Sequence, residues 1–195
     1  MGQKILIVWL LAIVAGAVQA ATGTVAPPDR GVAYPAPDAR RIALVIGNGA
    51  YAAEPLGNPA RDAAAVSQAL RALGFEVSTY TDQDAEGMKA AIADFGRRLQ
   101  GGGAGLFYFA GHGLRVAGQT LLAPVDADGR SPARVVNRSI PLQAVLDDMA
   151  RPRPGQLNLV ILDTCLDDPF RPGPQTGMES LPGQTLLALA TAPGA

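Results

Sequence analysis

Ile42-Ala-Leu-Val-Ile-Gly47 is a short, nearly all-apolar run closed by Gly47-Asn-Gly49. That pattern is expected of a strand buried on both faces of a parallel sheet. From Ala60 to Leu73 the apolar positions Ala63, Val66, Ala69, Leu70 and Leu73 recur at three and four, and Gly74 supplies a stop, which predicts an amphipathic helix. Phe75 to Tyr80 alternates and predicts a second strand. Ala85 to Leu99 again has helical spacing, through Met88, Ile92, Phe95 and Leu99, and three glycines separate it from a third strand, Gly105 to Ala110. Strand, helix, strand, helix, strand implies right-handed crossovers and a parallel sheet.

Two extended pieces around Ala117-Gly118 predict a small hairpin, followed by a Pro/Asp/Gly-rich loop from Pro124 to Pro132. A helix from about Leu142 to Met149 comes next, then a fourth buried strand, Leu157 to Asp163. A Pro/Gly-rich loop from Pro169 to Gly183 leads to a fifth apolar run, Thr185 to Ala192. The fold class is therefore α/β, with an open, mostly parallel sheet flanked by helices. No internal repeat interrupts this order.

The chain has 195 residues, enough for one such domain. With 16 basic against 17 acidic residues and no block of like charge, nothing marks a nucleic-acid or anionic-membrane surface. Residues 1–20 read as a signal peptide: Lys4, the apolar stretch Ile5 to Val18, then Gln19-Ala-Ala21 around a cut after Ala20. This predicts export to a periplasmic or extracellular compartment, with membrane attachment only if the segment stays uncleaved. Residues 21–39 hold four prolines and read as a disordered tether, leaving 40–195 as the folded domain. A single Cys excludes an internal disulfide and leaves an inert buried thiol or a reactive one.

In open α/β sheets the working residues gather beyond the carboxyl ends of the strands. The only His and the only Cys both sit there, His112 after the third strand and Cys165 after the fourth, 53 positions apart. An imidazole can lower a neighbouring thiol's pKa or take its proton, then protonate a leaving amine, which is the chemistry of peptide hydrolysis by a cysteine. The Gly113 and Cys165 amides are candidate oxyanion donors. Taken singly, Cys165 also reads as a small buried hydrophobe and His112 as a hydrogen-bonded loop residue.

The sequence resembles the caspase and metacaspase family, in its bacterial caspase-like branch. The residues that carry the likeness are Arg41-Ile-Ala-Leu-Val-Ile-Gly-Asn48, Leu56-Gly-Asn-Pro59, Asp62-Ala63, Leu73-Gly-Phe75, Tyr108-Phe-Ala-Gly-His-Gly113, Leu162-Asp-Thr-Cys165 and Ala190-Thr-Ala-Pro-Gly194. The family's His precedes its Cys by roughly 50 residues. The resemblance implies a cysteine endopeptidase acting on proteins or peptides, with His112 as general base and acid, Cys165 as nucleophile, and the Gly113 and Cys165 amides holding the oxyanion. It also places two pocket acids on Asp62 and Asp163, which together favour cleavage after Arg or Lys. Asp62 reads equally as a helix first-turn acid, and Asp163 as a loop anchor.

No cofactor is required on this reading. Calcium activation occurs in some relatives, and Asp126/Asp128 and Asp167/Asp168 are the acids that would serve it, although solvated loop acids read the same way. Two departures stand out. Leu166 replaces a common Arg, and the chain ends at Ala195, where the family continues with a final C-terminal strand and helix. A C-terminally truncated domain would expose a sheet edge to a partner or a second copy. An inactive binding module of the same fold, or a truncated gene product, is therefore the rival reading. Gly47-Asn-Gly-Ala-Tyr-Ala52 fits a dinucleotide fingerprint, but Pro55 and Pro59 prevent a helix from starting at the glycines. One His and one Cys also make a poor zinc set.

Overall fold

A computed structural model describes residues 39–127, 132–164, 166–167, 181–182 and 184–190. The signal peptide, the tether apart from Ala39, and most of the loop from Pro169 to Gly183 lie outside the described residues. Among the described residues, five strands form the central sheet: β1 (Arg41–Gly47), β2 (Glu76–Thr81), β3 (Ala104–Ala110), β7 (Leu157–Asp163) and β9 (Thr185–Leu189). Their order is β2-β1-β3-β7-β9, and every pairing is parallel. The expected open parallel sheet is what the chain forms, and the third and fourth predicted strands are indeed neighbours. The fifth run is shorter as a strand than its apolar pattern, ending at Leu189.

The unbroken apolar runs have a direct cause, since both faces of the sheet are covered. Helix α1 (Pro59–Ala72) lays Ala63, Val66 and Leu70 on Ala43, Val45, Leu106 and Tyr108. On the opposite face, α2 (Ala85–Leu99) and α4 (Leu142–Ala150) bury Met88, Phe95, Leu142 and Met149 against Ile42, Leu44, Ile46, Phe107 and Phe109. Gly47 lets α1 come close: a Cβ there would lie 2.3 Å from the Pro59 carbonyl oxygen and 2.7 Å from Ala63 Cβ. Pro59 opens the helix where its missing N–H costs nothing. At the far side of the sheet, Leu186 and Leu189 of β9 are exposed.

A second, four-stranded sheet sits beyond the carboxyl end of the first, ordered β6 (Ile140–Pro141), β5 (Gln119–Leu122), β4 (Gly113–Val116) and β8 (Leu166–Asp167). Strands β4 and β5 are the predicted hairpin. Helix α3 (Pro132–Arg138) starts on the last residue of the predicted loop; it and the two-residue strands β6 and β8 had no signature in the pattern.

Register decides where the site lies. Gly47 pairs with Ala110, and Ala110 pairs with Asp163, so β1, β3 and β7 end level with one another. β2 lies on one side of β1 and β3 on the other, so the chain leaves β1 and β3 at a topological switch point, where open α/β sheets form a crevice.

Candidate active site

His112 occupies the two-residue connection between β3 and β4, and its main chain is held in an unusual way. Its carbonyl accepts from the Ala123 amide at 2.9 Å. In an unbroken antiparallel ladder, the His112 amide would bond the Ala123 carbonyl in return. Instead the Tyr51 hydroxyl stands between them, accepting from the His112 amide at 3.0 Å and donating to the Ala123 carbonyl at 3.0 Å. Gly111 makes room, because a Cβ there would lie 2.6 Å from the Tyr51 hydroxyl and 2.9 Å from Phe109 Cζ.

The ring is gripped by the same loop. His112 Nε2 lies 2.7 Å from the Glu54 carbonyl oxygen, and the Tyr51 and His112 ring centroids are 4.4 Å apart at 53°. A carbonyl can only accept, so Nε2 carries the hydrogen and Nδ1 is the acceptor of the neutral imidazole. An imidazole oriented through one nitrogen with the other left for proton exchange is the arrangement a general base needs. Burial holds the Tyr51 phenol well above its ordinary range, so it remains a neutral hydroxyl.

Two further residues fix that loop. Asp82 Oδ1 accepts from the Gly49 and Ala50 amides at 2.8 and 2.9 Å. Asn48 is fully buried: its Oδ1 accepts from the Gln83 amide at 2.9 Å, and its Nδ2 reaches the carbonyls of Gln83 and Ala123 at 3.3 and 3.2 Å. Asn48→Ala would leave the partly buried Gln83 amide without its acceptor, and is expected to cost about 1–2 kcal/mol. A lowered urea midpoint at unchanged slope would show this; an unchanged midpoint would remove Asn48 from the support of the site.

Asp62 lies in the first turn of α1 and Asp163 at the end of β7, both half-buried. The second of them is tied to a residue the sequence pattern did not single out. Tyr108, fully buried in β3, donates its hydroxyl to Asp163 Oδ2 at 3.3 Å. Burial first, then the charges of Asp163 and Asp62, raise the phenol far above its ordinary value. Asp163 thus bonds this hydroxyl directly, at the same rim as His112, while Asp62 acts on it through its charge.

Gly113 opens β4. Because the His112 carbonyl bonds Ala123, Gly113 and Leu122 form a non-hydrogen-bonded pair, so Leu122 does not take the Gly113 amide. Cys165 lies outside the described residues. Its covalent neighbours are described: Thr164 continues from β7, and Leu166, in β8, pairs with Gly113.

Asp126 Oδ1 accepts from the Ala85 amide at 3.0 Å, at the start of α2, and Oδ2 pairs with Arg138. Asp128 and Asp168 lie outside the described residues, and the Asp167 main chain pairs with Leu114 in β8. The glycines of the dinucleotide-like pattern open no helix; α1 begins at Pro59.

Tyr51, the Glu54 carbonyl, Asp82 and Tyr108 are the parts that sequence reasoning missed. A phenol in an otherwise apolar strand was the available signal for Tyr108, since a buried hydroxyl needs a partner. Comparison with known proteins bears on the whole arrangement. Over 126 residues the chain is 36% identical to human mucosa-associated lymphoid tissue lymphoma translocation protein 1, and equally to its mouse homologue. That stretch is 64% of this chain and 15% of either relative. A family model described as caspase domain matches residues 40–195, which hold every strand of both sheets, and the chain belongs to that family of peptidases.

Proposed function

We propose that this chain is an exported cysteine endopeptidase that cleaves proteins or peptides after Arg or Lys. The observation that carries the reading is a pair of matched rungs. Ala110 pairs with Asp163, and Gly113 pairs with Leu166. Two residues of sequence therefore separate the rungs on each side, 111 and 112 between β3 and β4, 164 and 165 between β7 and β8. This matched spacing supports His112 and Cys165 acting on one substrate.

In the proposed reaction the Cys165 thiol gives its proton to His112 Nδ1, and the sulfur attacks the substrate carbonyl carbon. The oxyanion is held by the Gly113 and Cys165 amides. The C–N bond then breaks as His112 returns the proton to the leaving amine, leaving a thioester that water hydrolyses with His112 as base. Asp62 and Asp163 would receive the basic side chain through charge-assisted hydrogen bonds.

Matched fluorogenic peptides ending in Arg, Lys or Asp test this with the full chain and Asp163→Asn. Turnover is expected for Arg and Lys only, and the Asn variant should lose roughly 10- to 100-fold in kcat/KM on Arg. Preference for Asp would reverse the pocket assignment. No turnover from folded protein, with and without calcium, would shift the reading to a binding module.

A further inference from the structure

Tyr108 takes no part in the reaction just described, yet its buried hydroxyl bonds one candidate pocket acid, Asp163, and feels the charge of the other, Asp62. Its ring belongs to the core against α1, so its own side chain cannot meet a substrate. Asp163 is held twice: its carboxylate by the Tyr108 hydroxyl of β3 at 3.3 Å, and its main-chain carbonyl by the amide of Gly111, just past the end of β3, at 3.4 Å. An exposed aspartate turns freely about its side-chain bonds; a carboxylate with one oxygen tied to a buried phenol keeps one orientation.

Orientation matters differently to the two basic side chains. A guanidinium is a planar fork that binds a carboxylate best when the two planes agree, whereas an ammonium is a compact charge with rotatable donors that accepts nearly any approach. We propose that Tyr108 is a positioning residue that makes the pocket select Arg over Lys, by fixing the plane of the Asp163 carboxylate. The inference rests on the pocket reading above and adds to it a preference within the basic class.

The test is a double-mutant cycle of Tyr108→Phe and Asp163→Asn in the full chain, read with matched Arg and Lys peptides. Phenylalanine keeps the ring in the core and removes only the hydroxyl. The expected result is a rise of about 10-fold in KM for the Arg peptide, with kcat and the KM for Lys changed less than about 2-fold. The Tyr108→Phe effect should vanish in the Asp163→Asn background. Alkylation of Cys165 by iodoacetamide, which ignores the pocket, should proceed at the parent rate.

Equal losses on Arg and Lys, a loss that persists without the Asp163 carboxylate, or a parallel fall in alkylation would each assign Tyr108 a packing role and overturn the proposal. An unchanged Arg-to-Lys ratio in a parent-like variant would overturn it while leaving the basic pocket standing. A parent chain without preference for basic peptides would overturn both.

Discussion

Alanine at position 112 is expected to reduce kcat/KM on the Arg peptide by about three orders of magnitude or more, the scale seen when a nucleophile loses its base. The reason lies in how much of the rim serves this one ring. The Glu54 carbonyl, the Tyr51 ring and the Ala123 main chain all converge on His112. Cys165→Ala should fall to the same floor, and the double variant no lower, because two groups acting as a unit do not lose their contributions independently. His112 is only half-buried, so the alanine variant should unfold near the parent midpoint. Losses that multiply in the double variant would mean that the two residues do not work together, and the proposed proton transfer would fail.

Gly111→Ala is expected to damage the site severely although it removes no functional group. Its Cβ would meet the Tyr51 hydroxyl, Phe109 Cζ and the Asn48 carbonyl oxygen at 2.6, 2.9 and 3.1 Å, all in a packed interior. Relief requires the hydroxyl to leave its place between His112 and Ala123, or the β3 end to shift. Forced repacking of this kind costs about 1–3 kcal/mol. Displacing the base by about 1 Å can cost a further 100-fold in rate. Both readouts are needed, urea unfolding for the first and peptide hydrolysis for the second. Parent-like activity with reduced stability would show that the His112 grip survives movement of Tyr51, and would leave the Glu54 carbonyl as the main orienting group.

The sheet and its long helices were legible because their physics is local. Six or seven apolar residues in a row, or apolar positions at three and four, leave a pattern that requires no knowledge of the partner element. Strands β6 and β8 have two residues each, too few to carry any period, and they exist only because β5 and β4 are there to pair with. The site divides the same way. His112 and Cys165 could be named as candidates from residue type and position at strand ends, whereas Asp62 and Asp163 follow only from the family resemblance, Asp62 lying in a helix. Tyr51 could not: its role depends on a hydroxyl meeting main-chain groups 61 and 72 residues further along. Tyr108 looked like one more aromatic in a buried strand, and only the register that sets Ala110 beside Asp163 reveals what its hydroxyl meets.

The loop after β1 touches His112 at two points, the Tyr51 side chain and the Glu54 carbonyl, with only Ala52 and Ala53 between them. Ala52, Ala53 and the Glu54 side chain are all exposed, and the contact from Glu54 uses an atom that every amino acid possesses. The segment therefore works as a spacer gauge. Its composition is free to drift, but one residue added or removed between positions 51 and 54 would separate the ring contact from the carbonyl contact and leave the imidazole facing the wrong way. Among distant relatives, the trace of such a gauge is a fixed gap length following a tyrosine, with little identity inside it.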